Sequence, residues 1–262
     1  MEDLTVTIIQ SEVFWENKEA NLRMFEEKIK GITERTELVI LPEMFSTGFS
    51  MNPELLAEDM TGPTVSWMKS ISANKKIILT GSVIIKEEGK YFNRLLWVLP
   101  NGAVGHYDKR HLFCFANEHL HYSAGKKRFI ASVKGWKINL MVCYDLRFPV
   151  WARQQNNEEP EYDLLVYVAN WPDKRNHAWK TLLNARAIEN QSYVIGVNRV
   201  GKDANEIVYS GASMISGPLG EIIYLKENEE DVFTFTLQKK ALHEAREKFP
   251  FLRDADGFRI LN

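Results

Sequence analysis

Cys143 stands where an apolar run ends, in Asn139-Leu140-Met141-Val142-Cys143-Tyr144-Asp145-Leu146-Arg147-Phe148-Pro149. A thiol at the end of a strand can be presented on a sharp turn, and the backbone N–H groups that follow can face a developing oxyanion. The competing reading is a buried cysteine acting as a small hydrophobe. Glu43 has a matching setting in Leu38-Val39-Ile40-Leu41-Pro42-Glu43. A carboxylate directly after an apolar strand is expected to be half-buried, and burial raises a carboxyl pKa toward the range useful for acid–base work. The competing reading is a surface or capping glutamate. Lys109, in Tyr107-Asp108-Lys109-Arg110-His111-Leu112, is a cation just past a strand signal. Glu118, in Asn117-Glu118-His119-Leu120-His121-Tyr122, reads by itself as a loop carboxylate.

These residues must be positioned by a regular scaffold, and the patterning predicts one. Leu4–Gln10 alternates as a strand, Glu16–Lys30 has helical spacing with Gly31 as its stop, and Leu38–Leu41 is a short apolar strand. Thr64–Asn74 reads as a helix. Ile77–Ile85 and Tyr91–Leu99 flank a turn at Glu88-Gly89, and Asn101-Gly102 turns into Val104–Tyr107. Strands follow at Trp136–Cys143, Leu164–Val168, Tyr193–Val197, Ser210–Ile215, Glu221–Leu225 and Asp231–Leu237, with helices at Asn176–Asn190 and Lys239–Lys248. The polar stretch Gln154–Tyr162 reads as a surface loop. Strands mixed with helices, in hairpins and in crossovers, give an α/β or α+β layered fold. No linker or repeat divides residues 1–262, so one domain is expected.

The bulk properties narrow the classes. Lys and Arg (33) nearly balance Asp and Glu (35), so no nucleic-acid footprint is expected. The two cysteines are too few for a disulfide framework, and no apolar run is long enough for a membrane span. The opening Met1-Glu2-Asp3-Leu4 lacks a basic segment followed by an apolar one, so no signal peptide is expected and a cytoplasmic location is.

In this order and with these residue types, Leu41-Pro42-Glu43, Tyr107-Asp108-Lys109-Arg110-His111-Leu112 and Cys143-Tyr144-Asp145-Leu146-Arg147-Phe148-Pro149 resemble the Glu-Lys-Cys triad of the nitrilase superfamily, the carbon–nitrogen hydrolases. Glu118 and Tyr122-Ser123-Ala124-Gly125 resemble that family's second glutamate and its downstream glycine. Val168-Ala169-Asn170-Trp171-Pro172, Ala185-Arg186-Ala187-Ile188-Glu189-Asn190 and Val197-Asn198-Arg199 extend the likeness, so it covers nearly the whole chain. Within the family the chain looks most like the ω-amidase branch.

The resemblance implies a four-layer αββα sandwich, a homodimer paired through its outer helices, and no metal or organic cofactor. It implies that Cys143 attacks an amide, Glu43 moves protons, and Lys109 with the Tyr144 N–H holds the oxyanion, while Glu118 keeps Lys109 in register. Asn170 and Trp171 would line the pocket. The implied substrate is a short dicarboxylic monoamide such as 2-oxoglutaramate or 2-oxosuccinamate. Its free carboxylate needs a cation; Arg175 is the candidate by position, with Arg147 and Arg186 expected in structural ion pairs. Cys114 is expected to be a non-catalytic neighbour.

N-carbamoyl compounds or other aliphatic amides are alternative substrates on the same triad, and acyl transfer is an alternative reaction. A metal hydrolase is disfavoured, since the six His form no His-Glu-x-x-His motif. No Gly-x-Ser-x-Gly elbow or phosphate-binding loop is present either. A catalytically silent binding module has no need to keep all three triad residues.

Overall fold

The structure is a computed structural model and describes residues 2–155 and 159–260. Positions 156–158 of the expected polar loop lie outside those residues. The elements run β1 (Leu4–Gln10), α1 (Lys18–Lys30), β2 (Leu38–Ile40), α2 (Pro53–Leu56), α3 (Pro63–Lys75), β3 (Ile78–Glu87), β4 (Lys90–Val98) and β5 (Val104–Asp108). Then come α4 (Glu118–His121), β6 (Ile130–Val133), β7 (Trp136–Val142), α5 (Pro149–Ala152), β8 (Leu164–Val168) and α6 (Asn176–Asn190). The chain continues with β9 (Tyr193–Val197), β10 (Val200–Lys202), β11 (Val208–Ser216), β12 (Ile222–Glu227), β13 (Asp231–Leu237) and α7 (Lys239–Lys248).

The strands form two mixed sheets. One has the order β13-β1-β2-β3-β4-β5 and the other β10-β11-β9-β8-β7-β6, with β12 also paired to β11. Period-two alternation decides which side chains fill which layer. In β2, Leu38 and Ile40 enter the core between the sheets, where Ile138, Leu140 and Val142 of β7 meet them. Val39 and Leu41 point the other way, against Phe25 and Ile29 of α1 and Val65 and Met68 of α3. On the far face of the second sheet, Trp179, Leu183 and Ala187 of α6 pack over the face that carries Val194 and Tyr167. A Cβ on Gly196 would come within 2.4 Å of Leu183, so only glycine lets the helix approach β9 so closely. Helix, sheet, sheet, helix is the expected αββα sandwich.

Local chemistry explains the boundaries. Asn17 caps α1 by accepting from the Ala20 N–H at 3.1 Å, which moves the helix start from Glu16 to Lys18. The β3–β4 hairpin closes through Glu88 and Gly89, with φ of 49° and 74°, the left-handed pair that matches strand twist in a two-residue turn. β6 and β10 escape the sequence reading because they are short strands defined by pairing with β7 and β11, not by their own pattern.

Within each sheet the central strands run parallel: β1, β2 and β3 in one, β7, β8 and β9 in the other. Glu43 lies just beyond the carboxyl end of β2, Cys143 beyond β7 and Asn170 beyond β8. Open α/β sheets gather their ligand crevices at such ends.

Candidate active site

Glu43 is fully buried, deeper than the half-buried position its sequence predicts. Its Oε1 accepts from the Lys109 ammonium at 2.9 Å and from the Asn93 side-chain amide at 2.8 Å. Its Oε2 accepts the backbone N–H of Asn170 at 2.8 Å, and the Asn170 amide donates to the Glu43 backbone carbonyl at 2.6 Å. The carboxylate is therefore held from both sheets, by Asn93 and Lys109 on one side and Asn170 on the other. After Glu43 the chain turns sharply at Met44, whose φ is 43° and whose N–H donates to the Ser82 hydroxyl at 2.8 Å.

Lys109 follows β5 and continues its ladder, donating its backbone N–H to the Asn93 carbonyl at 3.0 Å. Gly125 returns a backbone bond to the Lys109 carbonyl at 2.9 Å. A Cβ at Gly125 would lie 2.0 Å from the Asp108 carbonyl oxygen, so the glycine is sterically required there. The Lys109 ammonium has no exposed side-chain surface and donates to Glu118 at 2.9 and 3.1 Å as well as to Glu43. Glu118 is buried at the start of α4 and also accepts the Phe113 N–H at 2.6 Å. Burial opposes a charged lysine, but Glu118 and Glu43 outweigh it and push the Lys109 pKa up. Burial, aided by the charge of Glu43, pushes the Glu118 carboxyl up despite Lys109.

Cys143 ends the β7 run as predicted, but the strand itself stops at Val142 and Cys143 starts a 3₁₀ turn with φ of 43°. A β-carbon in that region costs about 1 kcal/mol or more. The turn swings the side chain out of the sheet, and Cys143 keeps part of its surface open to a cavity. Burial pushes its thiol pKa well up, the Glu43 charge adds to this, and Lys109 and the Asn170 N–H only partly offset it. At neutral pH the resting sulfur is thus a thiol. Iodoacetamide labelling of Cys143 should still accelerate at about pH 9, above the ordinary thiol pKa. Peptide-resolved mass spectrometry separates it from the exposed Cys114; a rate already flat below about pH 7 would contradict this.

The cavity has a volume of about 710 Å³. It brings Lys109, Cys143, Tyr144, Asn170, Trp171 and Arg175 of the sequence-predicted set to one wall-to-wall space. Glu43 and Glu118 sit behind it, reached through Lys109. Arg147 departs from expectation: among the described residues it has no carboxylate partner, and instead it lines the cavity with its guanidinium 4.9 Å from the Trp171 ring centre. The turn at Cys143 carries it there. Arg186 does pair, with Glu189 at 3.1 Å, and also donates to the Leu146 carbonyl. Arg175 lies over Phe113 at 5.2 Å. Cys114 is exposed and is not among the lining residues.

Sequence reasoning missed Asn93, Phe49 and the Phe113–Phe115 wall. Asn93 donates to both carboxylates, Glu43 at 2.8 Å and Glu118 at 3.3 Å. Its signal was present, since asparagine is depleted in strands and Asn93 interrupts an otherwise strand-like run. Phe49 covers the Lys109 ammonium at 5.1 Å. Among the described residues no group of three or more His, Cys, Asp or Glu is placed to hold a metal ion, and no helix is long and apolar enough to cross a membrane.

A buried carboxylate, a lysine fixed against it and a thiol on a strained turn are the parts of a covalent hydrolase. Comparison with known proteins agrees. Residues 5–247 match the carbon-nitrogen hydrolase family. The chain is 46% identical to the omega-amidase YafV of Escherichia coli K12, over 99% of this chain and all of that one. It is 29% identical to the 2-oxoglutaramate amidase of Bacillus subtilis, covering 95% and 96% of the two chains. The solved structure of XC1258 from Xanthomonas campestris, a CN-hydrolase superfamily protein with an arsenic adduct in its active site, superposes with a TM-score of 0.96 at 45% identity, over 99% of this chain and all of that one. The chain belongs to the carbon–nitrogen hydrolase family, on its ω-amidase branch.

Proposed function

We propose that this protein hydrolyses the terminal amide of a short dicarboxylic monoamide, such as 2-oxoglutaramate or 2-oxosuccinamate, to the acid and ammonia. One observation carries the reading. The Glu43–Lys109–Glu118 cluster meets Cys143 in a cavity that also holds two guanidinium groups without carboxylate partners among the described residues, Arg147 and Arg175. The first set suits amide chemistry, and the second suits a substrate with a free carboxylate. The names of the relatives support the same class.

In this mechanism Glu43 takes the thiol proton as the Cys143 sulfur bonds to the amide carbon. The resulting oxyanion faces the Lys109 ammonium and the Tyr144 backbone N–H. Glu43 gives the proton to the departing nitrogen, the C–N bond breaks, and ammonia leaves. Water then attacks the thioester while Glu43 takes its proton. The C–S bond breaks, the proton returns to sulfur, and the acid departs. Only water is consumed, so no cofactor is called for. Glu118 and Asn93 hold the lysine and the base in register. Asn170, whose Oδ1 is buried without a partner, offers an acceptor beside the base, and Trp171 forms the wall on which Arg147 stacks.

The test is ammonia release from 2-oxoglutaramate, 2-oxosuccinamate, succinamate, glutamine, asparagine, N-carbamoyl-β-alanine and an uncharged aliphatic amide. Activity should centre on the first three. Arg147→Ala or Arg175→Ala should raise KM for them about 10- to 100-fold, the size of a lost hydrogen bond between charged groups. Neither change should affect the uncharged amide. A preference for the carbamoyl compound or for the uncharged amide overturns the substrate assignment.

The reading extends to a single domain, to the cytoplasm and to a homodimer. One family match over residues 5–247 supports the first, and two unpaired cysteines support the second. Exposed Val150 on α5 and Ile188 on α6 support pairing through the outer helices. Sedimentation of the purified chain as a monomer would exclude the dimer.

A further inference from the structure

Tyr107, His111 and Asp145 belong to the same two segments as Lys109 and Cys143, yet none takes part in the steps above. Asp145 is fully buried. Its Oδ2 accepts the Tyr107 hydroxyl at 2.8 Å and the Val142 backbone N–H at 3.0 Å. Its Oδ1 accepts the His111 backbone N–H at 3.0 Å and lies 2.8 Å from His111 Nδ1. A carboxylate only accepts, so that ring nitrogen carries the proton. The Tyr107 hydroxyl also accepts the Arg110 backbone N–H at 3.2 Å and the Trp151 indole N–H at 2.9 Å.

One carboxylate thus grips the Lys109 segment on both sides of the lysine, and grips the backbone on the residue before Cys143. The sheets cannot do this themselves. Lys109 extends β5, at the edge of one sheet, and Cys143 follows β7 in the other, so no strand ladder fixes one relative to the other. The strained backbone of Cys143 also needs neighbours that over-determine it. Stability alone does not call for a buried charge at this point, since well-packed apolar groups serve as well or better.

We propose that Asp145 is a positioning residue: acting through Tyr107 and His111, it sets the distance and direction from the Lys109 ammonium to the Cys143 sulfur. The proposal rests on the roles given above to those two residues. A shift of about 1 Å between reacting groups can cost about 100-fold in rate.

Two substitutions at His111 separate positioning from packing. The ring stacks on Phe148 at 3.8 Å between centres. His111→Phe keeps a ring for that stack and loses the donor, whereas His111→Asn keeps a donor near the Nδ1 position and loses the stack. Positioning predicts that His111→Asn retains kcat within about 5-fold, while His111→Phe loses about 30- to 100-fold in kcat with KM changed less than about 3-fold. Tyr107→Phe, which removes only the hydroxyl, should lower kcat about 10-fold in the same way. Thermal melts verify that each variant is folded, and if His111→Phe is not, the Tyr107→Phe kcat decides. Equal rates for the two His111 variants, the reverse order, an unchanged Tyr107→Phe kcat, or losses confined to KM overturn the proposal. Cys143→Ala and Lys109→Met are measured alongside. If they abolish turnover while the positioning variants do not follow the prediction, only the positioning role fails. If they retain turnover, the catalytic roles fail.

Discussion

Cys143→Ala is expected to lower kcat by about 10⁴-fold or more, the scale seen when a covalent nucleophile is removed. The effect should be this large because Cys143 is the one thiol among the described residues lining the cavity, no serine or threonine lines it, and the Tyr209 hydroxyl there is donated to Asp203 at 2.9 Å. The residual rate would come from water activated by Glu43 opposite the lysine. The fold should survive. The substitution removes one sulfur atom, leaves every partner of Lys109 in place, and puts alanine at a φ of 43° where the native residue already carries a β-carbon. The stability change should be about 1 kcal/mol, or a few degrees in Tm. Ammonia release and a thermal melt on the same preparation check both halves. A retained rate would sink the nucleophile assignment, whatever the melt shows.

Lys109→Met should be nearly as damaging to turnover and far more so to stability. Loss of one oxyanion donor in a water-poor site costs about 10²- to 10³-fold. A second loss follows from the geometry. The ammonium is the cation shared by two fully buried carboxylates, Glu43 and Glu118. Without it, two like charges face each other through Asn93 alone, and one must take up a proton. If Glu43 takes it, the base is gone, a further factor of about 10² or more. Breaking a buried ion pair by deleting one partner costs about 3–5 kcal/mol.

The sign of the pH dependence follows. A carboxyl whose pKa is raised in the folded state weakens the fold when it ionises. Glu118 is already raised in the intact protein, and removal of the lysine raises it further. The stability deficit of Lys109→Met should therefore be small below the ordinary carboxylate range, near pH 4, and grow toward about pH 8. Denaturant midpoints at several pH values would measure this. A deficit independent of pH would mean that the two carboxylates are not coupled through the lysine.

The main strands and helices of the fold were legible because periodicity is a local property. Leu38-Val39-Ile40-Leu41 reads as a strand on its own, and alternation assigns Leu38 and Ile40 to one face and Val39 and Leu41 to the other. The short strands β6 and β10 were not legible, because pairing defines them. The αββα order came from the resemblance and not from the pattern, which is silent on how many sheets the strands make.

The site divides in the same way. Sequence by itself determined the chemical types and their order along the chain: a glutamate after β2, a lysine after β5 and a cysteine after β7. It also determined the backbone devices that only certain residues permit, such as Gly125 against the Asp108 carbonyl. Only the tertiary structure decided that Glu43 is sealed from solvent, that Asn93 bridges the two carboxylates, and that Arg147 turns into the cavity, with no carboxylate partner among the described residues. The physical reason is that the charge state and reach of each group depend on burial and on partners far away in sequence. Glu43 and Asn170 are 127 residues apart and meet only when the two sheets close on a common core, while Lys109 and Glu43 are 66 apart and meet only when β2 to β5 pair into one sheet.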